Sequence, residues 1–251
     1  MKTISNNAIT CSTDYNYVKF LYPFLDSLQN VNTNLDIFVR LVDFTDTQID
    51  EVKQKYNNIQ LIIDNPGLSV ERTLFKTKDK KQFKHIYNIK TPLDLKKVLY
   101  SPRSFYTCHS RFLSIDELLE KNYNVLSLDV DTLVLRNFDD IFDNLQHDLY
   151  SVINPNDNDN FCNEGFLLFN NNDVTKNLIK KINNYIFNEG NYVEWNADHY
   201  ALHKFYDEKS ISLKLLDSKY KDKTHNVDSV MWSGDGAKKY RETFSNKICH
   251  D

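Results

Sequence analysis

The stretch Val125 to Leu135 reads VLSLDVDTLVL. Its opening residues are apolar apart from Ser127, the pattern of a strand buried on both faces by covering helices. The strand then runs into Asp129 and Asp131. Two carboxylates at such a strand end are costly if buried without partners. In an open α/β sheet that end is also where ligands bind. A spacing of two puts both side chains on one side of an extended chain. Such a pair suits a hard divalent cation, which takes oxygen ligands and shares them with phosphates. A cation held there neutralises a diphosphate leaving group. The competing reading is two aspartates capping a turn.

Working outward, apolar runs alternate with helical spacing. Ala8 to Cys11 reads as a strand ended by Ser12, Thr13 and Asp14. Leu21, Phe24, Leu25 and Leu28 recur at helical spacing. Leu35 to Val42 is a strand, Ile49 to Tyr56 a short helix, and Ile59 to Ile63 a strand closed by Asp64, Asn65, Pro66 and Gly67. Residues 70 to 100 read as helices or a long loop outside the sheet. Arg111 to Glu120 is a helix. Past the aspartates come a strand at Asp148 to Ile153, a polar loop at Asn154 to Asn160, and a short strand at Gly165 to Phe169. A helix through Val174, Leu178, Ile182 and Ile186 follows, then a helix at Ala197 to Tyr206 and a strand at Ile211 to Leu216. The alternation predicts an α/β fold with a mostly parallel central sheet flanked by helices. With 251 residues, no repeat and no linker, a single domain over 1–251 is the simplest organisation.

Composition narrows the function classes. The chain carries 15 Tyr and 16 Phe against 5 Gly and 5 Pro, enough aromatic mass for a core and for pocket walls. Its formal net charge is -4, whereas a general nucleic-acid binder is basic. The basic run Lys76 to Lys84 reads as a solvated face or as an acceptor or membrane-surface contact. Cys11, Cys108, Cys162 and Cys249 are widely spaced and form no CxxC cluster, so they read as reduced thiols. The N-terminus has no signal-peptide core, and no stretch approaches the ~20 apolar residues of a membrane span. Cytoplasmic residence is the default expectation.

Several residues can carry chemistry. Arg111, on its helix before the aspartates, presents a guanidinium for a phosphate or a carboxylate; Arg103 is a weaker candidate. Asn163 can donate and accept hydrogen bonds to a polyhydroxyl ligand. Gly165 permits a close backbone approach. Asp198 opens a helix, where it holds sugar hydroxyls, stabilises positive charge, or acts as a first-turn acidic group. After the first strand, the Asp14 carboxylate or a backbone group there can read a base edge and Tyr17 can stack on the base, or Tyr17 is a core aromatic. Ser233 to Lys239, SGDGAKK, offers loop amides and Lys238 or Lys239 to a phosphate, although it is not a Walker-type loop.

In this order the pieces resemble the GT-A-fold glycosyltransferases of family 8, the glycogenin-like and galactosyltransferase relatives. YTCHSRF and YNVLSLDVDTLVLRNFDDIF look like the family's Arg-bearing helix and DxD strand. Asn163-Glu164-Gly165 before FLLFN resembles its Asn-x-Gly strand. Trp195-Asn196-Ala197-Asp198-His199 is similar to its Asp-Gln region, with His199 where Gln is usual. ITCSTDYNY resembles its nucleotide-binding first strand. The resemblance implies a GT-A-type Rossmann-like catalytic domain that retains anomeric configuration while moving a sugar from a nucleotide donor, UDP-linked, to a hydroxyl. It implies Mn²⁺ or Mg²⁺ on Asp129 and Asp131. It implies donor contacts from Cys11, Thr13, Asp14, Tyr17, Arg111, Asp129, Val130, Asp131, Gly236 and Lys239, with Asp198, Asn163 and Arg111 working at the reacting sugar.

The acceptor, whether glycan, protein or small molecule, is not implied, and a homodimer is left open. One departure stands out. The family's closing His-x-x-Gly-x-x-Lys places its metal-binding His at Ser233 here, or at Trp232 with Lys238 if the register shifts by one. His225, Asp228 and Asp235 are the nearby substitutes. An inactive nucleotide-sugar or glycan-binding protein is therefore the alternative function. A haloacid-dehalogenase-type phosphotransferase fits less well, with Leu133 in its usual Thr position.

Overall fold

The computed structural model describes residues 6–71, 73–74, 99–152, 165–191, 197–224 and 226–234. In chain order its strands are β1 (Asn6–Asp14), β2 (Asp36–Val42), β3 (Ile59–Asp64), β4 (Thr73–Leu74), β5 (Leu99–Tyr100), β6 (Tyr123–Leu128), β7 (Leu133–Val134), β8 (Leu149–Val152), β9 (Phe166–Phe169), β10 (Leu213–Leu216) and β11 (Met231–Trp232). Its helices are α1 (Val18–Asn30), α2 (Asp46–Lys55), α3 (Pro102–His109), α4 (Arg111–Glu120), α5 (Asp173–Asn183) and α6 (Ala197–Phe205).

Seven strands form one sheet in the order β10-β8-β9-β6-β1-β2-β3. All its pairs are parallel except those that β9 makes with β6 and β8. The mostly parallel sheet read from the sequence is therefore present. The chain leaves β1 toward β2 and β3 on one side, then returns to set β6 on the other. The gap between the carboxyl ends of β1 and β6 is thus a switch point of the topology, where α/β sheets bind ligands.

Period-two alternation sends successive side chains to opposite faces. Ile9, Cys11, Leu126, Leu128, Phe166 and Leu168 meet Leu21, Phe24, Leu25 and Leu28 of α1 in one core. Ala8, Val125, Leu167 and Phe169 meet Phe112, Ile115, Leu118 and Leu119 of α4, with Leu178, Ile179 and Ile182 of α5, in the other. A strand with helices on both faces buries all its residues, which explains the near-continuous apolar run of β6.

The boundaries differ from the sequence expectations in instructive ways. β1 does not stop at Ser12. Its ladder with β2 runs through Ser12↔Arg40, Thr13↔Leu41 and Asp14↔Val42, and the pairing outweighs the polar side chains. Helix α2 starts at Asp46 rather than Ile49, because Thr45 and Gln48 close a reciprocal capping box. The largest change is at the aspartates. β6 ends at Leu128, and the Thr132 amide donates to the Asp129 carbonyl at 3.0 Å, so Asp129 to Thr132 is a turn. Asp129 and Asp131 therefore do not share the face of one strand. Leu133 and Val134 belong to a separate ladder with β11.

Pro102–His109 is a helix that the sequence reading passed over, capped by the Ser101 side chain. In the 70 to 100 segment, β4 and β5 pair antiparallel outside the main sheet. Residues 72 and 75–98, with Lys76 to Lys84, lie outside the described residues, as does the polar loop from Asn154 to Asn160. Helix α5 continues into a π-helical turn at Asn184–Asn188 instead of running on as α-helix. Among the described residues no helix is long and apolar enough to cross a membrane.

Candidate active site

Three chain ends meet at the switch point: Asp14 closing β1, Asp129 just past β6, and Gly165 just before β9. The antiparallel β6–β9 pair carries the last two together, and the Asp129 amide donates to the Gly165 carbonyl at 3.3 Å. The half-buried Asp129 carboxylate is held from two directions. Arg111 Nη1 donates to its Oδ1 at 2.9 Å, and Lys221 Nζ donates to its Oδ2 at 3.1 Å. Burial pushes the carboxyl toward protonation, but the two cations outweigh it and hold it far below the usual carboxylate range.

Gly165 makes this clamp sterically possible. A Cβ on Gly165 would stand 1.7 Å from Lys221 Nζ and 1.9 Å from Asp129 Oδ2. The close approach expected of this glycine is therefore of side-chain ends as well as backbone.

Arg111 opens α4 and is oriented by its Nε, which donates to the Cys108 carbonyl at 2.7 Å. Its Nη2 lies 4.0 Å from Asp198 Oδ2, so one guanidinium spans Asp129 and Asp198. Burial lowers its proton affinity, yet the two carboxylates raise it further, and Arg111 stays charged. Asp198 sits in the first turn of α6, where its Oδ1 accepts from the His199 amide at 2.9 Å. His109, fully buried at the end of α3, places Nε2 3.5 Å from the same oxygen. Burial raises the Asp198 carboxyl, and His109 and Arg111 more than reverse it.

At the β1 end, Asp14 is buried, and neither carboxylate oxygen has a hydrogen-bond partner among the described residues. The amides of Tyr17 and Asn16 and the Asn16 side chain lie close enough to favour its ionised form. Burial raises its pKa, only partly offset by those amides and by Arg103. Tyr17 is half-buried, its ring 5.8 Å from that of Phe20. Thr13 is buried and its hydroxyl donates to the Asp14 carbonyl. Cys11 points into the core and burial pushes its thiol up to about 12, so only its backbone faces a ladder. Val130 packs against the same core from the turn, and Asp131 is half-buried beside it.

Arg103 is engaged elsewhere, 3.0 Å from Asp43. Asp228, a candidate substitute ligand, pairs with Arg136 at the exposed surface. Asn163, Gly236, Lys238, Lys239, His225 and Asp235 lie outside the described residues. Ser233 is buried after β11, its amide donating to the Asp222 carbonyl at 3.0 Å.

Two residues of the cluster carried no assigned role in the sequence. His109 sits inside the quoted YTCHSRF but has no periodic or motif signal of its own. Lys221 closes a short 3₁₀ turn after β10, Ser218–Lys221, and reaches Asp129 across 92 positions.

The divalent ion implied by the resemblance can be tested against this geometry. Each Asp129 oxygen already accepts from a side-chain cation. Among the described residues no group of three His, Cys, Asp or Glu is placed to hold a metal. Asp129 and Asp131 are the residues that would hold such an ion, and Asp129 already stands between two cations.

The sheet order, with the first-strand end, the carboxylate turn and a spanning arginine on one edge, defines a GT-A-type α/β fold. The chain belongs to the nucleotide-diphospho-sugar transferase family, whose model matches residues 71–247. No curated protein matches it. Among solved structures, it is similar to the galactosyltransferase LgtC in complex with donor and acceptor sugar analogs, at 15% identity over 95% of each chain with a TM-score of 0.60. It also resembles the glycosyltransferase GlyE of Streptococcus pneumoniae TIGR4, at 16% identity over 86% of this chain and 46% of that one, TM-score 0.52. The bifunctional glycosyltransferase WbbM matches at 14% identity over 88% of this chain and 40% of that one, TM-score 0.55. The chain thus spans about half the length of GlyE. At these identities the likeness is one of fold.

Proposed function

We propose that the protein is a retaining glycosyltransferase that moves a sugar from a UDP-linked donor to a hydroxyl acceptor. The observation that carries this reading is the Arg111 guanidinium spanning Asp129 and Asp198 at the switch point, with the buried Asp14 carboxylate on the neighbouring strand end. Family membership supports the donor class.

In this reading Asp14 accepts from the N–H of the base, and Tyr17 stacks on it. The diphosphate lies against Arg111, and Asp198 faces the sugar. The bond from the anomeric carbon to the phosphate oxygen breaks, and its electron pair leaves with the diphosphate. The acceptor hydroxyl forms the new bond on the same face, and its proton passes to the departing phosphate oxygen. Arg111 stabilises the developing phosphate charge, and Asp198 the positive charge at the anomeric carbon. Asn163 positions the sugar.

Incubation with a panel of UDP-sugars, with released UDP as the readout, tests this. Turnover of at least one donor with retained anomeric configuration is expected. Tight UDP binding without turnover of any donor would favour the inactive binder, the reading that Ser233 at the family's His position supports.

Asp14 has a measurable signature. A buried carboxylate with no hydrogen-bond partner among the described residues costs about 1–3 kcal/mol, so Asp14→Asn should raise the melting temperature at pH 7 by about 4 °C. The same change should weaken UDP binding by about tenfold. Because burial raises the folded-state pKa of Asp14 above 3.8, the ionised group destabilises the fold at pH above that raised value. The stability gap between wild type and variant therefore closes as pH falls toward 3.8. Thermal melts at pH 7 and pH 4 check the sign.

A further inference from the structure

We propose that Lys221, together with Arg111, takes the place of a divalent cation at this site, so that donor binding and diphosphate departure proceed without metal. The inference rests on the donor reading above and concerns what neutralises the charge.

The placement of Lys221 is specific. Its side chain is only 7% exposed, and its ammonium lies 3.1 Å from Asp129 Oδ2. Gly165 leaves room for it that any side chain would fill. Arg111 occupies the other oxygen of the same carboxylate at 2.9 Å. A metal bound through Asp129 would stand beside both of these cations. Its third protein ligand is also missing among the described residues.

An ammonium and a guanidinium both donate hydrogen bonds to phosphate oxygens, as a metal-free clamp requires. The bonds made and broken are those already described; the cations only offset the negative charge gained by the departing diphosphate.

Three measurements on the full chain test this. In the first, Mn²⁺ is titrated into nucleotide-free protein and followed by electron paramagnetic resonance. The free-ion spectrum should persist; stoichiometric Mn²⁺ binding by the wild type would overturn the proposal whatever the donor is.

In the second, calorimetry with UDP compares EDTA with Mn²⁺. Affinities should agree within about threefold, and a tenfold or greater gain with Mn²⁺ overturns the proposal. UDP binding in neither buffer overturns the donor reading itself, which the Mn²⁺ titration distinguishes.

In the third, Lys221→Met should lose about tenfold or more in UDP affinity in EDTA and regain part of it with Mn²⁺. Unchanged affinity in a folded Lys221→Met, judged by circular dichroism, overturns the role of Lys221.

Discussion

Replacing Arg111 with methionine is expected to cost about 10²- to 10³-fold in turnover, the scale of losing one preorganised charge donor. The same change removes the cation between Asp129 and Asp198, leaving Lys221 for one and His109 for the other. Breaking a buried ion pair costs about 3 kcal/mol, which lowers the melting temperature by about 8 °C for a chain of this size. The pH dependence has a definite sign. Both carboxylates have folded-state pKa values below 3.8, so their pairing stabilises the protein above that value and the benefit is lost as pH falls below it. The gap between wild type and Arg111→Met should be widest near neutrality and narrow below pH 3.8. A gap that stays constant with pH would mean that the loss comes from packing alone.

Gly165→Ala is expected to separate function from stability. The added methyl would stand 1.7 Å from Lys221 Nζ and 2.6 Å from Asp129 Cγ, distances that no carbon contact tolerates. Both neighbours are the ends of flexible side chains. They withdraw, and the sheet is spared. The melting temperature should fall by only about 2–4 °C, a loss near 1 kcal/mol. The Asp129–Lys221 contact is broken, and a displacement of about 1 Å at such a site costs on the order of 10²-fold in rate. Thermal melts alongside UDP release from a UDP-sugar measure both effects. Retained turnover would show that the Lys221 contact plays no part in the reaction.

Much of this arrangement was legible in the sequence, and the parts that were not share a cause. Periodicity found the strands of the main sheet and the helices α1, α2, α4, α5 and α6, because each buries an apolar face against its neighbour. It placed Asp129 and Asp131 at the end of β6 and gave Leu133 and Val134 no element, because they are apolar through a distant pairing with Trp232 and Met231. The ladder that extends β1 to Asp14 lies with β2, a partner that no local window contains.

At the site, Arg111, Asp129 and Asp198 were named from type and position, and the structure brings them within one guanidinium's reach. Gly165 was named for close approach, and a close approach is what its missing side chain allows. His109 and Lys221 were assigned no role. Each becomes meaningful only through a contact made across the fold, and a lone His or Lys carries no spacing that announces it. The DxD spacing suggested a metal, and the Lys221 ammonium on Asp129 is a tertiary fact that no spacing announces.

The most direct test of the whole reading is a crystal structure of the protein with UDP. The base is expected beside Asp14 and Tyr17, and the diphosphate against Arg111 and Lys221 at the carboxyl ends of β1 and β6. UDP bound away from that edge, with Arg111 and Lys221 still closed on Asp129 and untouched by phosphate, would contradict it.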